Sequence, residues 1–398
     1  MKLKIAVFFG GESVEHEVSI ISAHQAMEAL DRDKYDIIPI YIGKNRRFYY
    51  SELLNDIASF KDLEALKEKC TQVVLVQEGS TVVMKPAKPG LFNNKPITSI
   101  DVAIPVVHGT NGEDGTLQGM LEMLKLPYAG CDVVASAIGQ DKVLQKLALS
   151  GSGLPITKWF WCYGHEMDEN PKQILEQVHK LLYPVILKPA CTGSSVGICV
   201  AHNDQEYIRC FEETSQYDFK VITEKLVKPL REINCSVMGD CFKAQASVLE
   251  EVGTNNPDEF LDYKDKYQGG GKSAKGEASK GMASTSRIVP ARLSDEQTKM
   301  IQDMALKTFR VLGSSGVCRI DFMMDAESKT VYVNEINSIP GSLAFYLWQE
   351  SGKSFSALMD ELIRLALERE RRRSRMTFSY DTNLLSTYSA SGAKGVKK

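Results

Sequence analysis

The chain opens on an apolar run, KIAVFF at 4–9, that stops at Gly10 and Gly11. A short apolar segment closed by glycines is the pattern of a strand buried on both faces, as in a parallel sheet. Residues 19–30 follow with helical spacing, and 35–42 (YDIIPIYI) is a second apolar run. Parallel strands need a crossover of this kind, so strand, helix, strand constrains the first part of the chain to an α/β fold. A further strand is expected at 102–107, closed by His108 and Gly109, then a helix at 116–124 and a short strand at 126–129.

From about residue 140 the character changes. Residues 141–149 read as a helix, 184–188 as a strand ending at Pro189, 191–197 (CTGSSVG) as a small-residue loop and 198–201 as a strand. The segments 221–227, 233–238 and 242–250 are β-rich, as an antiparallel meander is. Residues 262–286 are rich in Gly, Lys and Ser without periodicity, and a loop so long within a compact domain is functional or disordered. An amphipathic helix at 294–312 precedes strands at 317–324 and 330–335 around a turn at 325–328. A terminal helix at 355–375 becomes Arg-rich, and 376–398 reads as a flexible tail.

Composition removes several classes of function. A net charge of -3 and a pI near 6.2 give no nucleic-acid footprint. No apolar run approaches the length of a membrane span, and the one at the N-terminus is too short for a signal peptide, so the expected location is cytoplasmic. Nine cysteines, an odd number without CxxC spacing, indicate neither a disulfide scaffold nor a zinc site. Cys131, Cys199 and Cys318 lie in apolar surroundings and read as buried or free thiols. The six histidines show no metal-ligand pairing.

Five segments carry chemistry. Arg319-x-Asp321 and Glu335-x-Asn337 sit on two strands around a turn, and a period of two puts each pair on one sheet face. If the strands pair, three oxygen-bearing side chains and one guanidinium converge. Two readings fit that patch: a Mg²⁺ site, which takes one or two carboxylates plus substrate phosphates, and a surface salt-bridge ladder. Lys188-Pro189 followed by Gly193-Ser194-Ser195-Val196-Gly197 is either a phosphate-binding lysine with a nest of backbone N–H groups or a plain hairpin turn. Gly10-Gly11-Glu12-Ser13-Val14-Glu15 follows the first strand; its acids suit a substrate ammonium, or serve helix capping through Ser13. Lys264–Tyr267 (KDKY) opens the glycine-rich loop as part of a closing lid or as a solvated stretch. His108-Gly109-x-x-Gly112-Glu113-Asp114-Gly115 lies at a strand end, where α/β sheets bind ligands, or is a capped polar loop.

Taken in order, KIAVFFGGESVEHEVS, HGTNGEDGTLQG, Asp141-Lys142, LKPACTGSSVG, the run 224–232, KDKY and RIDFMM…VNEINSIPGS resemble the D-alanine–D-alanine ligases of the ATP-grasp superfamily. The resemblance covers roughly residues 1–365. It implies an α/β fold, α+β in the ATP-grasp part, with three domains around a cleft. These are an N-terminal α/β domain at 1–130, a central ATP-grasp subdomain at 131–225 and a C-terminal one at 226–375 with the metal residues and the lid, before the tail at 376–398. The implied reaction joins two D-alanines through an acyl phosphate, for peptidoglycan precursors, with ATP and two Mg²⁺ ions (Mn²⁺ as substitute).

The same resemblance assigns roles residue by residue. Lys142 and Lys188 contact ATP phosphates, Lys266 the γ-phosphate, Glu224, Leu226 and Val227 the adenine, and Glu232 the ribose. Asp321, Glu335 and Asn337 hold the metal ions. Glu15 faces the first substrate's ammonium in a hydrogen-bonded set with Ser194 and Tyr267. Arg319 and the Gly341 backbone N–H receive the oxyanion. The family's serine for the second substrate's carboxylate has Tyr346 at its position here, with Ser342 as the other candidate. That departure keeps a ligase for another second substrate, such as D-serine or D-lactate, as the alternative. A homodimer is the family's usual state.

Overall fold

The computed structural model describes residues 2–88, 95–252 and 287–383. The opening run is β1 (Leu3–Gly10), fully buried from Ile5 to Phe9. It is followed by α1 (His16–Ala29), β2 (Tyr35–Ile42), β3 (Phe48–Tyr50), α2 (Leu63–Lys69), β4 (Thr71–Glu78), β5 (Thr81–Pro86), β6 (Thr98–Ile100), β7 (Val102–Val106) and α3 (Thr116–Met123). β1 pairs in parallel with β2 and β7, while β3 to β6 extend the sheet antiparallel, in the order β6-β5-β4-β3-β2-β1-β7. The sheet is thus mixed. Only Gly79 and Ser80 separate β4 from β5, and so tight a turn joins antiparallel strands alone. The segment expected as a strand at 126–129 touches the sheet by one bridge, Tyr128 to Ala103.

The second sheet, β10-β9-β11-β8, is built from β8 (Trp159–Tyr163), β9 (Val185–Pro189), β10 (Cys199–Ala201) and β11 (Lys220–Lys225). Before it come α4 (Val133–Gln140) and α5 (Lys142–Ser150); within it run α6 (Gly164–Glu169), α7 (Pro171–Leu181) and α8 (Asp204–Thr214). The apolar sides of α7 and α8 cover one face, through Ile174, Val178, Tyr207 and Phe211. Cys199 is not a free thiol: it is joined to Cys210. β10 and the helix after it bring the two Cα atoms to 5.4 Å across 11 residues of sequence, a closeness that a search for CxxC spacing does not sense.

The third sheet runs β14-β13-β12-β15-β16, from β12 (Leu230–Gly239), β13 (Ala244–Val252), β14 (Arg287–Ile288), β15 (Gly316–Asp325) and β16 (Val331–Asn337). The expected meander therefore holds for β12 and β13 only, because β11 belongs to the second sheet. Helix α9 (Asp295–Val311) packs on this sheet with Ala135 of α4 and Leu149 of α5; its Ser294 cap and Gln297 close the first turn reciprocally. After α10 (Phe345–Glu350), α11 (Phe355–Arg373) returns to the first sheet, where Leu358, Met359, Leu362 and Ile363 share a core with Ile5, Val7 and Phe9. Both faces of β1 are thereby covered, α3 closing the other through Leu117 and Leu121. Helix α11 ties the part of the chain that carries the third sheet back to the first sheet.

Candidate active site

A cavity of about 200 Å³ lies between the second and third sheets, lined by Lys142, Lys188, Glu232, Asp321, Asn334 and Glu335 among others. Lys142 opens α5, which Asp141 caps by accepting from the N–H groups of Val143 and Leu144 at 2.9 and 3.2 Å. Its ammonium donates to the Thr192 carbonyl at 2.8 Å, the Gln140 amide donates to the Cys191 carbonyl at 2.7 Å, and the Cys191 N–H donates to Asp218 at 2.6 Å. The small loop is thus pinned at its start. It then turns through Ser194 and Ser195 at φ 55° and 60°, left-handed conformations that cost serines energy and gather at functional sites. Gly197 ends it at φ 74°, where a Cβ would meet the Tyr217 ring at 2.6 Å.

Behind the cavity wall stands a buried charge network. Glu224, 1% exposed, accepts from Lys188 at 3.2 Å through one oxygen. Through the other it accepts from Lys146 at 3.0 Å and Thr157 at 2.6 Å. Lys188 also donates to the Asn334 side chain at 3.1 Å. Burial alone would raise the Glu224 pKa, but Lys146 and Lys188 outweigh it and hold the carboxyl well below its usual range. Leu226 and Val227 follow β11 as buried apolar residues, and Glu232 lines the cavity from β12.

β15 and β16 pair antiparallel with Arg319 opposite Asn337 and Asp321 opposite Glu335, so the four side chains meet. Arg319 grips Asp321 with two bonds, Nε to Oδ1 at 2.7 Å and Nη2 to Oδ2 at 2.8 Å, and Asn337 donates to Oδ2 at 3.0 Å. Burial opposes the Arg319 charge, and Asp321 more than restores it. Among the described residues no three His, Cys, Asp or Glu side chains gather into a metal site. The set here is two carboxylates and an amide, hard oxygen donors of the number Mg²⁺ takes when phosphates complete its shell.

The first sheet contributes two loops. Glu15, just before α1, accepts a hydrogen bond from the Ser194 hydroxyl, which ties the small loop to the first sheet. The loop after β7 clamps 338–342. His108 Nδ1 bonds the Ile339 carbonyl at 2.7 Å, and the Ile339 N–H donates to Glu113 at 2.8 Å. Ser22, bonded to His108 Nε2 at 3.0 Å, accepts from the Ser342 N–H at 2.9 Å. Burial and the neighbouring Glu15 push the Glu113 carboxyl up to about 8. The clamp fixes Gly341 between Ile339 and Ser342, and Ser342, Leu343 and Ala344 continue at φ 52°, 52° and 51°. The strand-end motif at 108–115 thus acts on a neighbouring loop.

Tyr346 has its hydroxyl directed to Glu250 at 2.9 Å, and Arg287 lies over its ring at 5.1 Å. Arg287 also pairs with Glu250 at 3.1 Å, and Asn234 donates to the same carboxylate at 3.0 Å. Ser342 is buried at the clamp. Lys264, Lys266, Tyr267 and the glycine-rich segment lie outside the described residues, as does the chain from 384 onward. Sequence reasoning passed over Lys146, Thr157, Asn334, Asn234, Glu250 and Arg287. A signal existed for Lys146 alone: it stands four residues after Lys142, on the same helical face, in an otherwise apolar stretch.

Residues 4–131 match the family described as D-ala D-ala ligase N-terminus, and residues 148–364 the D-ala D-ala ligase C-terminus. The D-alanine–D-alanine ligase of Thermosipho melanesiensis is 38% identical over 386 residues, spanning 96% of this chain and 98% of that protein. The Thermoanaerobacter sp. D-alanine–D-alanine ligase is 39% identical, with 92% and 97% covered. Among solved structures, the D-alanine–D-alanine ligase of Coxiella burnetii superposes with a TM-score of 0.76 at 30% identity, covering 94% of this chain and 96% of that one. The VanG D-Ala:D-Ser ligase of Enterococcus faecalis gives 0.75 at 30%, covering 92% and 100%.

Proposed function

The chain belongs to the D-alanine–D-alanine ligase family, and from that premise we propose how its residues divide the work of an ATP-dependent enzyme that joins two D-alanines. A carboxylate does not acylate an amine in water, because hydroxide leaves poorly. Passing the γ-phosphoryl group of ATP to the first D-alanine's carboxylate gives an acyl phosphate, whose leaving group is phosphate. The second D-alanine's free amine then attacks the acyl carbon, and phosphate departs as the peptide bond forms.

In this reading Lys142, Lys188 and Lys266 meet the triphosphate and neutralise its spreading charge. Leu226 and Val227 form the apolar wall for the adenine and Glu232 takes the ribose. Glu224, which the resemblance places at the adenine, is 1% exposed behind the cavity wall with both oxygens engaged, so we assign it instead to holding Lys188. Glu15 receives the first substrate's ammonium and, with Ser194 and Tyr267, links the small loop to the lid. Arg319 and the Gly341 N–H, held by the His108–Glu113 clamp, are aimed in advance at the tetrahedral oxyanion. Asp321, Glu335 and Asn337 would hold two Mg²⁺ ions, with Mn²⁺ as substitute, and the metal would supply Lewis-acid polarisation of the phosphoryl oxygens. Because Tyr346 spends its proton on Glu250, Ser342 is the better-placed hydroxyl donor to the second carboxylate. Acyl phosphates hydrolyse, so closure by the glycine-rich 268–286 segment would exclude water.

One observation carries the reading. The Ser194–Glu15 hydrogen bond ties Glu15, the proposed ammonium acceptor just before α1, to the loop that lines the cavity beside Lys142 and Lys188, which supports an amino-acid site next to a phosphoryl site. The three sheets support the division at 1–130, 131–225 and 226–375, with α11 of the last part packed on the first sheet. A cytoplasmic location is proposed from family membership; among the described residues no helix is long and apolar enough to cross a membrane. A homodimer is proposed by analogy with the family, and light scattering on the purified protein tests it. For the reaction, the protein is supplied with Mg²⁺, ATP and D-alanine alone. Equal yields of ADP, phosphate and D-alanyl-D-alanine are expected; ATP consumption without dipeptide refutes the assignment.

A further inference from the structure

We propose that Lys146, buried behind the cavity wall, is a positioning residue: the counter-charge that leaves Lys188 free to serve the phosphates of ATP. The inference rests on the reading that Lys188 contacts those phosphates. The Glu224 carboxylate stands between two ammonium groups, 3.0 Å from Lys146 and 3.2 Å from Lys188. The side chains of Lys146 and Glu224 are each 1% exposed and that of Lys188 7%, so water screens little of their mutual field. The three groups sum to one positive charge, and only Lys188 of the three lines the cavity. That surplus charge is what a triphosphate meets.

Without Lys146 the balance changes. Lys188 and Glu224 would form a neutral pair, and the whole attraction of the carboxylate would fall on Lys188, drawing its ammonium inward. Thr157, which donates to the Glu224 oxygen shared with Lys146, supplies a hydrogen bond but no charge. An apolar side chain of equal length fills such a site without loss of packing, and a buried ion pair is weak evidence of a stabilising role. The distinctive property of the ammonium here is its charge.

The test uses the full-length protein, with Mg²⁺ and a non-hydrolysable ATP analogue titrated calorimetrically. Lys146→Met is expected to weaken analogue binding about tenfold, the scale of one charge-assisted hydrogen bond, and to raise the KM for ATP while sparing that of the first D-alanine. Lys146→Met combined with Glu224→Gln returns the local charge to one positive unit, and affinity should recover to within about threefold of wild type. A merely structural lysine predicts the opposite, a double variant as weak as the single or weaker, and that result overturns the inference. Should Lys146→Met fail to fold, Lys146→Gln keeps a donor to Glu224 but not the charge; the same fall is expected, and wild-type affinity in the folded variant refutes the proposal. Lys188→Met serves as the separate control. If it binds the analogue as wild type does, the phosphate assignment of Lys188 itself is wrong.

Discussion

Two charged constellations face each other across the cavity, and they are finished to different degrees. On one side, Glu224 and Lys188 of the second sheet and Lys146 of α5 are locked by burial, with the carboxylate turned away from the cavity and a cation turned toward it. On the third, Asp321 has both oxygens engaged by Arg319, and one also by Asn337. The first arrangement meets an anion as it stands. The second is closed on itself, so under the proposed roles a cation would require Asp321 to share its oxygens and would leave Arg319 more of its donors for the reacting acyl group. In the proposed assignment, phosphate binding is built into the fold, whereas the metal and acyl side would be completed by its ligands.

The sharpest break falls on the ligand-completed side. Glu335→Gln removes one carboxylate from the metal set, and phosphate release at ordinary Mg²⁺ should fall by about two decades or more, a loss of roughly 3 kcal/mol in the barrier, with circular dichroism unchanged. Release at the wild-type rate would remove the metal from that side. A smaller effect is expected at the second substrate. Ser342→Ala should raise its KM by about one to two decades, since a buried hydrogen bond to a charged group contributes ~1.5–3 kcal/mol. If Tyr346→Phe does this and Ser342→Ala does not, the donor is the tyrosine.

The link between the two sides comes next. Glu15→Gln and Tyr267→Phe should each raise the KM of the first D-alanine, with a coupling energy of ~0.5–3 kcal/mol, as for residues of one network. Strictly additive effects would sever loop from lid. The smallest effect concerns the His108–Glu113 clamp. The Glu113 carboxyl, raised to about 8 from an ordinary 4.5, binds its proton more tightly folded than unfolded. Its stabilising contribution is therefore complete below the ordinary value and lost as pH rises through about 8. Between about pH 5 and 8, wild-type Tm should fall relative to a Glu113→Gln variant, and parallel Tm curves would show that Glu113 ionises freely.

How far these regions can be read in the sequence follows the same divide. β2 matches its apolar run residue for residue, because a strand covered on both faces needs an unbroken hydrophobic stretch. Arg319, Asp321, Glu335 and Asn337 could be placed on one patch from a period of two and a turn. β4 escaped because much of it is exposed and its apolar residues follow no clean alternation. Lys146 and Glu224 are 78 positions apart, and their meeting is decided by how α5 packs against β11, which no local pattern states. The clamp is hidden for the same reason: Glu113 and Ile339 belong to loops of different sheets.

The most direct test of the central claim, that one cavity activates a carboxylate by phosphorylation and then joins it to an amine, follows an oxygen atom. D-alanine labelled with ¹⁸O in its carboxylate is supplied with ATP as the sole amino acid, and the released phosphate is analysed by mass spectrometry. An acyl phosphate leaves one substrate oxygen on phosphorus when the amine displaces it, so one labelled phosphate per D-alanyl-D-alanine is predicted. Dipeptide accompanied by unlabelled phosphate would contradict the phosphoryl-transfer step, and the shared-cavity account with it.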